Sequence, residues 1–292
     1  MDFAAVADEV FGLYREARYP EGAVLVARAR PHLPERDGRL TFWEACFQSM
    51  AGNPETAVEI LLGGVDRGLW WPEGMLADTD LNDARTLDGW SEVVAASQAH
   101  ERARMAARPT IRARRGRGGG TVIALHGAHA DPGEYADRWE ACVPEEWAVV
   151  TPVGSLPVPE GGWSWSHDSS PRVDDVMQQV SGLEIVRPLM VVGFSAGATL
   201  GIELVAGGSV EADCLVLMSP YVPQVNDMVA VLGSLNCPVV LVYGSEDQES
   251  DTYESLSDVV SETVVVPGLG HRLPEALSEI FKIGRQLAIS SR

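Results

Sequence analysis

A serine lies between two glycines in Gly193-Phe194-Ser195-Ala196-Gly197, directly after an apolar run at 189–192 and before the helical pattern of 196–206. A hydroxyl is a weak nucleophile until a base takes its proton, so this stretch has chemical meaning only if other segments supply the rest. His271, in "GLGH" (268–271), follows the last apolar run and is the candidate base. Asp247, in "GSED" (244–247), follows the run before that and can accept from the imidazole and hold its tautomer. Glu246 beside it is the rival acid, and its spacing from Gly244 is the less suitable one. Attack on a carbonyl leaves negative charge on its oxygen, which calls for preorganised amide donors. The N–H of Ala196, just after the serine, is one candidate donor. The N–H of Ala128, in "LHGA" (125–128), is the other, with Gly127 or His129 able to take its place.

All four segments must sit at strand ends for this chemistry to assemble. From residue 108 onward short Val-, Ile- and Leu-rich runs occur at 121–127, 147–154, 189–195, 214–220, 238–244 and 262–268, with little polar alternation. Such runs suit strands buried on both faces. Helical patterns between them, at 132–141, 173–185, 196–206, 250–258 and 274–288, predict a mostly parallel, doubly wound α/β sheet. Ligands bind such sheets beyond the carboxyl ends of the strands, where each candidate falls. The basic stretch at 102–120 contains "PTIRARRG", which alternates like an exposed edge strand whose charges discourage pairing with other chains.

Residues 1–107 carry helical periodicity without a strand pattern. Phe3, Val6, Val10, Leu13 and Tyr14 recur at the spacing of an amphipathic helix, and Pro20 can open the next one. "YPEGAVLVA" from Tyr19 and "NPETAVEIL" from Asn53 align 34 positions apart, Pro20 on Pro54, Ala23 on Ala57 and Val26 on Ile60. That period resembles tetratricopeptide helix-turn-helix units, with a degenerate third unit at 87–97. Residues 1–107 are therefore expected to form a small tetratricopeptide-like domain, and residues 108–292 the α/β domain. Trp70 and Trp71 are expected to pack at the seam between the domains.

With "LHGA", "GFSAG", "GSED" and "GLGH" in this order, residues 110–292 resemble the α/β-hydrolase superfamily, especially its compact carboxylesterase, phospholipase and dienelactone-hydrolase branches. The resemblance implies an α/β-hydrolase fold, a Ser195-His271-Asp247 triad acting on a small-molecule ester or thioester, and no metal or organic cofactor. No long cap insertion is visible. The segment 157–175 departs from the pattern: Trp163 and Trp165 could wall an acyl or aromatic pocket, or pack the loop onto the sheet.

The chain has 292 residues, 46% of them hydrophobic, and a formal charge of −20. That charge opposes general attraction to nucleic acid or anionic lipid. No apolar run approaches the roughly 20 residues of a membrane-spanning helix, and the acidic start lacks a signal pattern, so a cytoplasmic location is expected. Four widely spaced cysteines have no metal-ligand spacing. The competing expectation is a catalytically silent hydrolase fold whose helices bind a protein partner. A mixed version, in which the helices cover the active-site mouth or recruit a protein-bound acyl substrate, combines the two.

Overall fold

The computed structural model describes residues 3–290. It divides into two compact units: one runs to Ala107 and includes Pro157–Gly161, and the other comprises Arg108–Leu156 and the chain from Gly162 onward.

The first unit is helical. Helices α1 (Phe3–Arg15), α2 (Tyr19–Ala29), α3 (Asp37–Met50) and α4 (Pro54–Asp66) are followed by a short α5 (Glu73–Leu76) and by α6 (Trp90–Ala106). Prolines in the first turns of α2 and α4 preset the helical φ where no N–H is needed. The pair α1–α2 recurs as α3–α4 at the 34-residue offset of Pro20 and Pro54. Small residues allow the helices to approach: Ala23 and Ala57 are buried, and a Cβ on Gly22 would lie 2.3 Å from the Phe47 ring. Val6, Val10, Val26, Leu40 and Phe47 form one apolar cluster, and Leu61, Trp71, Leu81 and Val93 belong to a second. Trp71 is part of the helical core, its indole N–H donating to Gly38 O at 2.9 Å. The Pro157–Gly161 segment, assigned from sequence to the α/β domain, groups with the helices, and Glu160 pairs with Arg36 and Arg39 at 3.3 Å each.

The second unit is built on a seven-stranded sheet. Its strands are β1 (Arg112–Arg114), β2 (Gly120–Leu125), β3 (Trp147–Thr151), β6 (Leu189–Phe194), β7 (Cys214–Met218), β8 (Val239–Gly244) and β9 (Glu262–Val266), while Leu156–Pro157 (β4) and Trp163–Ser164 (β5) make a separate short ribbon. The order is β1-β3-β2-β6-β7-β8-β9, with only β1 antiparallel. Strands β2, β7 and β8 are buried along their whole length, which explains their unbroken apolar sequence. Successive residues still face opposite ways: Ile123, Val191, Leu215 and Leu241 join one core layer, and Val122, Val192, Val216 and Val242 the other.

Helices α8 (Ser169–Val180), α9 (Ala196–Ala206), α10 (Val225–Gly233) and α11 (Ser250–Ser257) pack on the first layer. Helices α7 (Pro132–Cys142) and α12 (Leu277–Ser290) cover the second. The chain leaves β2 toward β3 and returns to its other side as β6, so the order reverses between β2 and β6, where loops diverge and leave a crevice. Four arginines of the basic stretch are engaged within this unit. Arg112 pairs with Asp137 and Glu140 at 2.7 and 2.9 Å, Arg114 donates to the carbonyls of Glu140 and Val143, Arg117 pairs with Glu145, and Arg108 pairs with Asp175 at 2.6 Å.

Candidate active site

Strand β6 ends at Phe194 and α9 begins at Ala196, leaving Ser195 alone to turn the chain. Its backbone has φ 52° and ψ −120°, a region that L-residues avoid at a cost of roughly 1–3 kcal/mol. Two features hold it there. The Ser195 N–H donates to Met218 O of the neighbouring strand at 2.8 Å. Gly193 and Gly197 let strand and helix meet, because a Cβ on Gly193 would lie 2.3 Å from Gly197 O, and one on Gly197 would lie 2.3 Å from Leu125 O.

The serine hydroxyl lies 2.9 Å from His271 Nε2, and His271 Nδ1 lies 3.0 Å from Asp247 Oδ2. The arrangement fits one tautomer: Ser195 Oγ–H donates to Nε2 while Nδ1–H donates to the carboxylate. The other oxygen of Asp247 accepts from the Glu249 N–H at 3.2 Å, and the whole residue is buried. Glu246 is exposed, and its N–H donates to Leu269 O at 2.9 Å, tying the acid loop to the histidine loop. The structure therefore brings Ser195, His271 and Asp247 together and leaves Glu246 outside. Phe194 tilts against the imidazole, with ring centroids 5.3 Å apart.

Ala196 is the first residue of α9, whose free N–H groups and positive dipole end surround the serine. Ala198 and Thr199 already donate to Ser195 O, so the amides of Ala196 and Gly197 are the ones left for a ligand. Ala128 lies in the loop after β2. Gly127, Ala128 and His129 line a cleft of about 290 Å³ together with Phe194, and His129 has φ 62°.

His126 fixes this loop. It is buried, its Nδ1–H donates to Gly127 O at 2.7 Å, and its Nε2 accepts from the Gly154 N–H at 2.9 Å. Burial pushes its pKa down to about 4, so the ring is neutral at pH 7.

Trp165 stacks on His126, 4.5 Å between centroids and 24° between planes, and its indole N–H donates to His126 O at 2.7 Å. Trp163 bridges to Ala130 through its backbone. Each indole is only 3% exposed. The pocket-wall expectation for Trp163 and Trp165 is corrected accordingly: both anchor the 157–175 segment, because His126 and the Ala130 carbonyl offer them partners inside the protein.

On the other side of Ser195 runs a groove of about 650 Å³ between α8, α9 and α10. Ala196, Thr199, Ile202 and Ala206 present one face of α9 to it, Met228 and Val231 form the α10 wall, and Tyr221 rises at its upper edge. Sequence reasoning missed this wall along with α10. Yet Val225, Met228, Val229 and Leu232 recur at helical spacing and could have disclosed it. Arg172 spans the groove's flank, its Nε bonding Glu203 of α9 at 2.6 Å and its Nη1 donating to Ser166 O and His167 O at 3.2 Å each. Among the described residues, no group of three or more His, Cys, Asp or Glu side chains is placed to hold a metal ion, and no helix is long and apolar enough to cross a membrane.

Three comparisons bear on this architecture. No protein-family model and no curated protein matches the chain. Among solved structures, an uncharacterized protein from Bacillus cereus ATCC 10987 is similar over 100% of both chains at 18% identity and a TM-score of 0.52. Zea mays acyl-protein thioesterase 2 is similar over 61% of this chain and 98% of its own, at 17% identity and a TM-score of 0.47. The corresponding values for esterase PE8 are 61%, 99%, 15% and 0.48. The second unit has a doubly wound α/β fold on a mostly parallel seven-stranded sheet. Its parallel strands β2, β3, β6, β7, β8 and β9, the strained turn after β6 and the loops after β8 and β9 are the parts of that fold on which the candidate residues sit.

Proposed function

We propose that this protein is a serine hydrolase that cleaves a carboxylic ester or thioester through an acyl-enzyme. The observation that carries the reading is the hydrogen-bonded chain from Ser195 through His271 to Asp247, with the serine on a strained strand-to-helix turn. In the first half-reaction Ser195 Oγ attacks the acyl carbonyl carbon and its proton passes to His271 Nε2. The carbonyl π electrons move to oxygen, where the N–H groups of Ala196 and Ala128 are the assigned donors. Collapse of this intermediate expels the alcohol or thiol, which takes the proton from His271. Water then attacks the acyl-enzyme by the same route, His271 accepting and returning the proton, and the acid and free Ser195 are released. Asp247 stabilises the imidazolium that forms in both halves.

The groove along α9 supports an aliphatic acyl group as the bound portion, since Ala196 opens directly into it and Ile202, Met228 and Val231 line it. The recurrence of α1–α2 as α3–α4 supports a tetratricopeptide-like reading of the helical unit.

Ser195→Ala is expected to lower kcat on nitrophenyl esters by at least 10³-fold while leaving the circular dichroism spectrum unchanged, because the remaining donors act without a nucleophile. A fluorophosphonate probe is expected to label the wild type at Ser195 and not the variant. Full turnover by the variant, or labelling elsewhere, would refute the assignment.

A further inference from the structure

The helical unit holds a cavity of about 210 Å³ that the hydrolase reading does not use. Its walls are aromatic: Phe11 and Tyr14 come from α1, and Trp43 and Phe47 from α3. Phe11 meets Trp43 edge to face at 5.5 Å, and Tyr14 meets Phe47 at 6.2 Å and 70°. Phe11 and Tyr14 remain 52% and 41% exposed, so these rings form an open rim and not a closed core. Two carboxylates complete the lining, Asp78 and Asp80 at the 3-10 turn Thr79–Leu81.

These carboxylates are held but not neutralised. Tyr14 OH donates to Asp80 Oδ1 at 2.9 Å, and the Asp80 N–H donates to Asp78 Oδ1 at 3.0 Å. No donor reaches Oδ2 of either residue, and no Arg, Lys or His nitrogen pairs with either carboxylate, among the described residues. Arg85, from the next turn, is spent on the backbone carbonyls of Leu76 and Asp78 and on the Asn82 side chain. Asp37 and Glu44 of the same unit, by contrast, do meet arginines: Arg30 pairs with both, and Arg67 with Asp37. Burial raises the Asp80 carboxyl above its ordinary value, and burial first, with a smaller push from the field of Asp78 and Asp80, raises the Cys46 thiol that also lines the cavity. The cavity therefore combines π faces with uncompensated negative charge, which together favour a cation.

We infer that this cavity is a docking site for an arginine side chain of a peptide or protein partner. Arginine fits both halves of the lining, since a planar guanidinium stacks on aromatic faces while its fork reaches two carboxylate oxygens at once. A lysine ammonium offers no plane to stack. Free arginine would bring its own carboxylate toward Asp78 and Asp80 and be repelled, so the side chain must arrive on a chain whose ends are elsewhere. The inference is independent of the hydrolase chemistry, because none of these residues is among those assigned to it.

The test titrates acetyl-Gly-Arg-Gly-amide into the full chain and follows the amide and indole resonances by NMR. The expected result is saturable shifts confined to α1, α3 and the 78–80 turn. The citrulline peptide, alike in shape but neutral, is expected to bind at least tenfold more weakly, and the lysine peptide several-fold more weakly. The double variant Asp78→Asn/Asp80→Asn is expected to lose at least tenfold in affinity while its other resonances stay in place. Tyr14→Phe, which keeps the ring, separates loss of the Asp80 tether from loss of the wall and should weaken binding only a few-fold. Absence of saturable shifts, or shifts centred elsewhere, would overturn the site. Equal binding of the citrulline peptide would overturn the role of charge, and tighter binding of the lysine peptide would overturn the choice of arginine.

Discussion

The choice of acid turns on one residue. Asp247 and Glu246 are neighbours, and both carboxylates could reach a histidine from a loop of this length. The structure distinguishes them by burial and by a backbone bond: Glu246 N–H is pinned to Leu269 O, which leaves its side chain in solvent and directs Asp247 toward His271. Asp247→Asn should therefore lower kcat on a nitrophenyl ester by about 10³–10⁴-fold, because an amide N–H in place of Oδ2 opposes the tautomer that leaves Nε2 free to accept. Glu246→Gln should change kcat less than about threefold, as expected of an exposed residue away from the reacting atoms. Steady-state kinetics of the two variants checks both, and the reverse ranking would reassign the acid. The sequence singles out Ser195 and His271 because each is the lone Ser or His in its strand-end motif, and the fold places their side chains 2.9 Å apart. Trp163 and Trp165 were not, since burying an indole against His126 and presenting it to a ligand require the same residue type in the same loop.

At the scale of elements, the turn between β6 and α9 is sensitive to a single methyl group. A Cβ on Gly197 would sit 2.3 Å from Leu125 O and 2.4 Å from His126 O, both backbone atoms of the adjoining strand and loop that cannot rotate away. Gly197→Ala must then push α9 off β2, which displaces Ser195 and the Ala196 amide together. We expect at least a tenfold loss of kcat and of probe labelling, with a destabilisation of about 1–3 kcal/mol from overpacking. Denaturant unfolding beside the kinetics measures both, and an active variant of unchanged stability would show that the elbow has slack. Central strands and their helices were readable because unbroken apolar runs occur only where both faces are covered, as in β2, β7 and β8. Element ends were less so. Helix α8 was placed at 173–185 but occupies Ser169–Val180, since Gly182 takes φ 81° and the chain must leave the helix before it. Helix α10 has no counterpart among the helical patterns read from the sequence; it spans only Val225–Gly233, a short apolar segment whose periodicity is weak evidence by itself.

At the scale of the whole molecule, the pH dependence of stability sets two effects against each other. A formal charge of −20 strains the folded chain by self-repulsion, which eases as carboxylates protonate. His126 acts in the opposite direction. Its folded pKa is about 4, below the ordinary value of about 6.5, because burial disfavours the imidazolium while Nε2 is occupied by the Gly154 N–H. As pH falls below 6.5 the unfolded chain takes up this proton before the folded one does. The contribution of His126 is therefore complete above pH 6.5 and is lost progressively until pH reaches about 4. A depression of this size corresponds to about 3 kcal/mol across the window. His126→Gln removes the titration while its side-chain oxygen can still accept from Gly154, so the variant should be less stable at pH 7 and less sensitive to acid. Urea unfolding at intervals from pH 7 to 4, followed by amide exchange in β2 and β3, should show the two stability curves converging as pH falls. Parallel curves would mean that His126 titrates alike in the folded and unfolded chains, and that charge repulsion alone governs the acid limb.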